Sequence, residues 1–316
     1  MRKIIIDTDT GSDDAVALLM ALKSPEVDVV AITTVAGNVP LALATQNALM
    51  TIEVADAQAP PVYMCEAKPL KRELITARNV HGEDGMGDQG LIYPTRKPET
   101  GHAVDAILDI VAQNPGEIEI VTIGPATNIA RAVMKDAETM RKAKRIFSMG
   151  TSGFGPGNTT PVAEFNVYVD AESYEVMLGA GIPVTIVGFD LCLGDAALNE
   201  AELDTLLKSG KRAAEFAVQC NATLYEFNKA AAGAPFIDLP DPLAMAVCLW
   251  SDVVTDKTDA YCYVCTKEEP AYGQVIIYDN ERLVLSHNLD MQPNATVCRG
   301  IDSALFKRRM IDLLLA

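Results

Sequence analysis

The chain has 316 residues, of which 49% are hydrophobic and 22% charged, and 43 acidic against 26 basic side chains leave a formal charge of -17 at pH 7. That composition predicts a soluble globular protein with length for a sizeable core, and its field disfavours polyanions: nucleic acid is a poor partner, a small neutral ligand or a cation a fitting one. No apolar run approaches membrane-span length, the start Met-Arg-Lys-Ile-Ile-Ile-Asp breaks off too early for a signal peptide, and seven scattered cysteines, an odd number, point to reduced thiols in the cytoplasm.

In chain order, apolar runs alternate with helical patterns. Residues 3–8, 27–36, 61–64, 118–123, 145–149 and 182–189 read as strands, and 13–23, 40–56, 102–114, 126–135 and 171–179 as helices. In the first helix Ala15, Leu18, Leu19 and Leu22 make the i, i+3, i+4, i+7 stripe of a helix packed on a sheet. Continuous apolar strands separated by helices predict an α/β fold: one domain over 1–316 with a mainly parallel central sheet covered on both faces. After 190 the pattern changes. Residues 199–228 and 242–250 look helical, 260–266, 274–279 and 282–286 look like strands with a turn at Asp279-Asn280, and a last helix runs near 302–315. Trp250 follows an apolar helical run and reads as core. Cys262-Tyr-Val-Cys265 has metal-ligand spacing but stands in a β-like stretch with no second pair. His102 and His287 read as structural.

The segment Asp7-Thr8-Asp9-Thr10-Gly11-Ser12-Asp13-Asp14 places four aspartates between the first strand and the first helix. Apolar flanks put these mutually repelling carboxylates at the edge of a core. A bound cation or a helix N-terminus would offset the repulsion. The donors are all oxygen, with no His or Cys nearby, which suits Ca²⁺ or Mg²⁺ rather than zinc. The glycine position and the preceding strand do not fit an EF-hand loop.

In sheets of this kind ligands bind beyond the carboxyl ends of the strands. That rule selects the aspartate cluster, then Gly37-Asn38, then Gly124-Pro125-Ala126-Thr127-Asn128, then the loop Gly150 to Gly157 with Asn158 and Glu164-Phe165-Asn166. In an extended chain Glu164 and Asn166 would point to one side and Phe165 to the other. Asp241 is placed like Asp13 and Asp14, at the start of an apolar helix. The glycine loop lacks both the P-loop ending and the dinucleotide fingerprint, and no basic residue surrounds it.

With these residues assembled, the chain resembles the nucleoside hydrolases, the inosine–uridine-preferring ribohydrolase family, over nearly its whole length. The strongest match is Ile6-Asp7-Thr8-Asp9-Thr10-Gly11-Ser12-Asp13-Asp14-Ala15, similar to the family's Asp-x-Asp-x-Gly-x-Asp-Asp-Ala signature. Val35-Ala36-Gly37-Asn38, His81-Gly82-Glu83, Gly124 to Ala130, Asn158 with Ala163-Glu164-Phe165-Asn166, and Asp241-Pro242 add to it. The resemblance implies Ca²⁺-dependent cleavage of the N-glycosidic bond of ribonucleosides. It implies a Ca²⁺ held by Asp9, Asp14, Asp241 and the main-chain carbonyl of Ile123, bound also to the ribose hydroxyls and the attacking water. Asp9 would be the general base. Asp13, Asn38 and Asn166 would hold the ribose diol, and Asn158 and Glu164 the 5′-hydroxyl. A homodimer or homotetramer is implied as well. Asp13 and Asp14, adjacent on a helix, diverge by about 100°, so one can face a metal and the other a ligand.

The chain departs from the family's pattern before the last metal-binding Asp. Where many members carry His, or in another subgroup Trp, this chain has Pro240, which cannot donate a proton to the leaving base. His81, Tyr225 and Asp238 are the substitutes to consider. Two other readings compete: a protein that binds nucleosides or ribose with little turnover, and a phosphatase of the haloacid-dehalogenase type, in which Asp13-Asp14 and Glu164/Asn166 would have no role.

Overall fold

The computed structural model describes residues 1–91, 93–267, 269–279 and 291–316. One nine-stranded sheet runs through it, in the order β10-β9-β11-β6-β5-β4-β1-β2-β3. The strands are β1 (Arg2–Thr8), β2 (Val27–Thr34), β3 (Val62–Met64), β4 (Ile118–Thr122), β5 (Arg145–Met149), β6 (Val184–Val187), β9 (Val254–Val264), β10 (Val275–Tyr278) and β11 (Ala295–Ile301). Pairing is parallel from β3 across to β11; β9 alone runs against its neighbours. β7 (Leu198–Asn199) and β8 (Phe236–Ile237) pair separately.

The pleat of β1 explains the two layers. Ile4 and Ile6 point into one core with α1 (Ser12–Lys23), α2 (Leu41–Ala55), α10 (Arg212–Gln219), α12 (Pro240–Leu249) and α13 (Ser303–Leu315). Ile5, between them, points into the opposite core with α4 (Ala103–Gln113), α5 (Thr127–Lys135) and α8 (Ala171–Leu178). A β-branched strand buried on both faces requires helices on both, as the sequence predicts.

Within this sheet β1 to β6 stand in the order 3-2-1-4-5-6, so the winding reverses between β1 and β4. The carboxyl ends of β1 and β4 diverge there and leave a crevice. Thr8-Asp9 opens it on one side and Ile123-Gly124 on the other.

Several boundaries differ from expectation. The stretch 199–228 is three helices, α9 (Glu200–Leu207), α10 and α11 (Ala222–Ala232), broken at Gly210, whose φ is +69°, and again at Asn221. β9 begins at Val254, where an unbroken run of polar residues, Thr255 to Asp259, hides the strand. β11 was not expected: Arg299-Gly300 interrupts its apolar pattern, and its register with β9 shifts there. Asn280, the 282–286 strand and His287 lie outside the described residues. Trp250 is only half buried, just past the end of α12, with the Arg309 guanidinium carbon 5.6 Å from its ring centroid. Cys262 is buried in β9, facing the core.

Candidate active site

The end of β1 turns directly into α1, and this turn builds the site. Gly11 caps α1, and Asp13 and Asp14 lie in its first turn, where unpaired N–H groups and the helix dipole favour anions. Asp14 is tightly held: Thr8 Oγ1 donates to its Oδ1 (2.6 Å), and the Gly11 N–H and Asn38 Nδ2 donate to its Oδ2 (both 2.9 Å). Asp9 Oδ2 accepts the Asn38 N–H at 2.6 Å, while its Oδ1 is buried with no protein partner. Gly37 and Gly124 flank this carboxylate so closely that a Cβ on either would overlap an Asp9 oxygen. Asp7 lies further back, accepting from Thr33 Oγ1 (2.5 Å) and Asn128 Nδ2 (2.7 Å).

Asp241 arrives from α12, in its first turn with Pro240 at the helix start, as the sequence predicts. Carboxylate oxygens of Asp13, Asp14 and Asp241 lie within 4.8 Å of one another. Oxygens of both Asp13 and Asp14 reach toward Asp241, yet the 100° between neighbouring helix positions leaves Asp13 facing the adjoining cavity while Asp14 is held by Thr8, Gly11 and Asn38. Asp9 stands just outside this trio, drawn off by the Asn38 N–H. Asp13 Oδ1 is a second buried oxygen with no hydrogen-bond partner. Among the described residues no lysine or arginine pairs with any of these four; the one basic neighbour is His81, whose Nδ1 is 3.6 Å from Asp13 Oδ1.

Burial pushes the pKa values of the four aspartates up, and neighbouring carboxylates add to it: the other members of the cluster for Asp9, Asp14 and Asp241, and Asp238 for Asp13. Desolvation raises Asp13 and Asp14 to about 6, and Asp9 and Asp241 also rise from the usual carboxylate range. Desolvation acts oppositely on His81, lowering it to about 4, so the imidazole is neutral at pH 7. Its Nδ1 lies 2.8 Å from Ser12 Oγ. An all-oxygen donor set with two orphaned buried oxygens and no compensating lysine or arginine fits a hard divalent cation.

Across the crevice, Glu164 and Asn166 are not on an extended chain. Glu164 is the N-cap of a short helix, α7 (Phe165–Val169): its Oε1 accepts the Asn166 N–H (2.8 Å) and its Oε2 the Thr151 and Val167 N–H groups (both 3.2 Å). The carboxylate bends back to satisfy open helix N–H groups, which an alternation argument does not foresee. Burial outweighs these bonds and raises Glu164 to about 7. Asn166 Nδ2 donates to the Ile123 carbonyl at 3.2 Å, and Asn158 Oδ1 accepts the Phe165 N–H at 2.8 Å.

These groups surround a cavity of about 210 Å³ whose polar lining includes Asp13, Asn38, His81, Asn158, Glu164, Asn166 and Asp241, with the Ile123 main chain. Asp9 and Asp14 do not line it. Its apolar wall includes Val80, Phe189, Leu224 and Phe227, together with Pro240, and Asp238 also lines it, accepting from Asn228 Nδ2 at 2.5 Å. The structure does not bring Tyr225 here. On α11, positions 224, 227 and 228 share the cavity face, so Tyr225 turns away and its hydroxyl lies 3.3 Å from Glu200 Oε1. That 224/227/228 spacing is the one signal by which the wall could have been found in the sequence. A larger open groove of about 950 Å³, beside β9 and β11, holds none of the cluster.

Comparison with known proteins follows this geometry. The family model described as inosine-uridine preferring nucleoside hydrolase matches residues 4–308. The pyrimidine-specific ribonucleoside hydrolase RihA of Salmonella paratyphi C is 35% identical over 98% of this chain and 96% of its own. An uncharacterized protein of Schizosaccharomyces pombe is 47% identical over 190 residues, 60% of this chain and 61% of that one. Among solved structures, a plant nucleoside hydrolase, the PpNRh1 enzyme, superposes with a TM-score of 0.93 at 30% identity, covering 100% of this chain and 99% of its own. A purine-preferring ribonucleoside hydrolase from Gardnerella vaginalis reaches 0.90 at 27% identity, over 99% and 98%. A match of family model, sequence and structure along essentially the entire chain leaves one conclusion: this protein belongs to the inosine-uridine preferring nucleoside hydrolase family, a family of ribonucleoside N-glycosidases.

Proposed function

We propose that this protein hydrolyses ribonucleosides to ribose and free base with a resident Ca²⁺. The observation that supports this most is the group of buried aspartates at the β1/β4 crevice, which no lysine or arginine among the described residues balances and which borders a nucleoside-sized cavity. Asp9, Asp14, Asp241 and the Ile123 carbonyl would hold the ion, with Asp13 close enough to the last two aspartates to share it. Bound there, Ca²⁺ would supply the positive charge that offsets the carboxylates and acidifies a water.

The remaining chemistry belongs to the chain. Asp9 would take a proton from water, a role supported by its one free buried oxygen and by the lack of room to turn between Gly37 and Gly124. Asp13, Asn38 and Asn166 present acceptors and donors to a ribose diol, and Asn158 and Glu164 to its 5′-hydroxyl. Breaking the N-glycosidic bond builds positive charge on the ribosyl ring, and carboxylates fixed around it stabilise that charge. The base would rest against Val80, Phe189, Leu224 and Phe227. Pro240 supplies no proton there. His81 is the ring N–H source we assign to this role: if the Ser12 hydroxyl, 2.8 Å away, donates to Nδ1, then Nε2 carries the hydrogen.

The test is a panel of purine and pyrimidine nucleosides, with release of free base followed directly. Ribonucleosides should turn over, and 2′-deoxy analogues should be about 10⁴-fold poorer, because a site built for a hydroxyl is left with unpaired groups when it is missing. Binding without base release would favour the non-catalytic reading, and equal kcat/KM for ribo and deoxy forms would remove the sugar-centred one.

A further inference from the structure

We propose that Cys65, Glu66 and His102 form a second cation site, one that takes a borderline-soft divalent ion such as Zn²⁺. Cys65 and Glu66 follow β3, and His102 caps α4. A parallel bridge between Met64 and His102 brings the two segments together. The Cys65 N–H donates to the Thr34 carbonyl at 3.2 Å, which fixes the backbone beneath the thiol. His102 Nδ1 faces the Val104 N–H at 3.4 Å, and Cys65 Sγ, 4.0 Å from Nδ1 and 3.8 Å from Nε2, lies alongside the ring. Nε2 lies 3.8 Å from Cys65 Sγ and 3.5 Å from Glu66 Oε1, and one donor atom of each residue falls within 4.8 Å of the others.

These separations are those of a zinc tetrahedron. Zinc bonds of about 2.3 Å to sulfur and about 2.1 Å to nitrogen or oxygen, at tetrahedral angles, make an S···N edge of about 3.6 Å and an N···O edge of about 3.4 Å. The observed 3.8 and 3.5 Å are close to these edges, and the partly exposed His102 ring must also turn to aim its Nε2 lone pair at the ion. As the S–Zn bond forms, the thiol releases its proton to solvent; thiolate and carboxylate together neutralise the ion, and the imidazole binds uncharged. Glu66 and His102 have side chains 32% and 43% exposed, so an ion can enter and water can complete the fourth position. Arg131 Nε lies 3.5 Å from the same Glu66 Oε1 without a hydrogen bond, so the ion would take that oxygen and leave Oε2 to the guanidinium. Burial, then the Asp7 charge, pushes the Cys65 thiol up to about 12, so without a cation it stays protonated and reacts slowly, at a rate that long alkylation times can still follow. The aspartate cluster is an oxygen site and this one contains sulfur, so each selects a different ion.

The experiment uses the intact, calcium-loaded protein titrated with Co²⁺ as a spectroscopic stand-in for zinc, and with Zn²⁺ itself. One equivalent of Co²⁺ should give a thiolate-to-metal charge-transfer band that Cys65→Ser abolishes, and His102→Gln should weaken binding by about tenfold or more. In wild type, Zn²⁺ should slow alkylation of the Cys65 peptide at least about tenfold and leave the Cys262 and Cys265 peptides unaffected. The peptide readout decides the matter even if a variant fails to fold. A band that persists in Cys65→Ser, no band in wild type, or equal protection of Cys262 and Cys265 would each overturn the proposal.

Discussion

The two ends of the central sheet treat buried carboxylates in opposite ways. Near its amino-terminal edge Glu119, on β4, is 2% exposed and answered by the protein itself: Arg2 Nη1 and Lys144 Nζ each lie 2.8 Å from it, with Arg145 Nε at 3.9 Å. Near the carboxyl edge Asp9, Asp13, Asp14 and Asp241 are as deeply buried, yet among the described residues none is paired with a lysine or arginine. A buried charge with its own counterions is part of the architecture. Buried charges without them raise the free energy of the empty protein and are relieved by a ligand. One strand, β4, thus carries a structural carboxylate near its start and leads to the site at its end.

That contrast can be broken first at the carboxyl edge. Asp241→Asn removes a charged oxygen and should strip Ca²⁺ from the purified protein and lower kcat/KM by about 10³-fold or more; full calcium content with full activity would end the distinction. Glu164→Gln probes a buried carboxylate that backbone N–H groups only partly compensate. Its pKa is raised from 4.5 to about 7, so the folded state keeps a proton that the unfolded chain has already released between those values. Relative to Glu164→Gln, wild-type stability should therefore fall as pH rises from 4.5 to 7, by roughly 3 kcal/mol in total, and level off above. Denaturant melts of both proteins in chelator across that range check it, and a constant difference would mean the carboxyl is not perturbed.

His81 sharpens the comparison next, as the one basic side chain among the described residues that touches the cluster. His81→Ala should slow natural nucleosides about 10²-fold and leave p-nitrophenyl riboside nearly unchanged. Tyr225→Phe should alter neither, because its hydroxyl faces Glu200. Equal losses on both substrates would place His81 in sugar binding or in the fold instead. Smallest is Glu119→Gln. It should cost about 2 kcal/mol of stability, limited by the part exposure of its cations, with calcium content and kcat/KM unchanged.

What the sequence discloses follows the same division. The aspartate turn is legible because the residues that make it are contiguous and bracketed by a strand and a helix of unambiguous period. Asp241 is legible because helix starts have a chemistry of their own. Glu119 is not: its partners are Arg2, Lys144 and Arg145, brought beside it only by strand pairing. The pairing of Cys65 with His102, 37 residues apart, is hidden for the same reason. The direction of Tyr225 is not legible either, because one residue along a helix changes the direction by 100°. β11 was missed because a glycine and an arginine at a register shift break its alternation. Side chains whose partners are local can be read in one dimension, and those whose partners arrive through the sheet cannot.

The two glycines beside Asp9 have a consequence for tolerance. Gly37 and Gly124 come from different strand ends, yet each leaves a gap of about one methyl group, and both gaps are filled by the same carboxylate. The orientation of Asp9 is thus specified by the absence of side chains. Steric economy of this kind leaves no graded response: an alanine at either position would displace the carboxylate or the loop outright. The same substitution at Gly116 or Gly210, where nothing lies within 4 Å, would meet open space and bear only the cost of its own backbone angle.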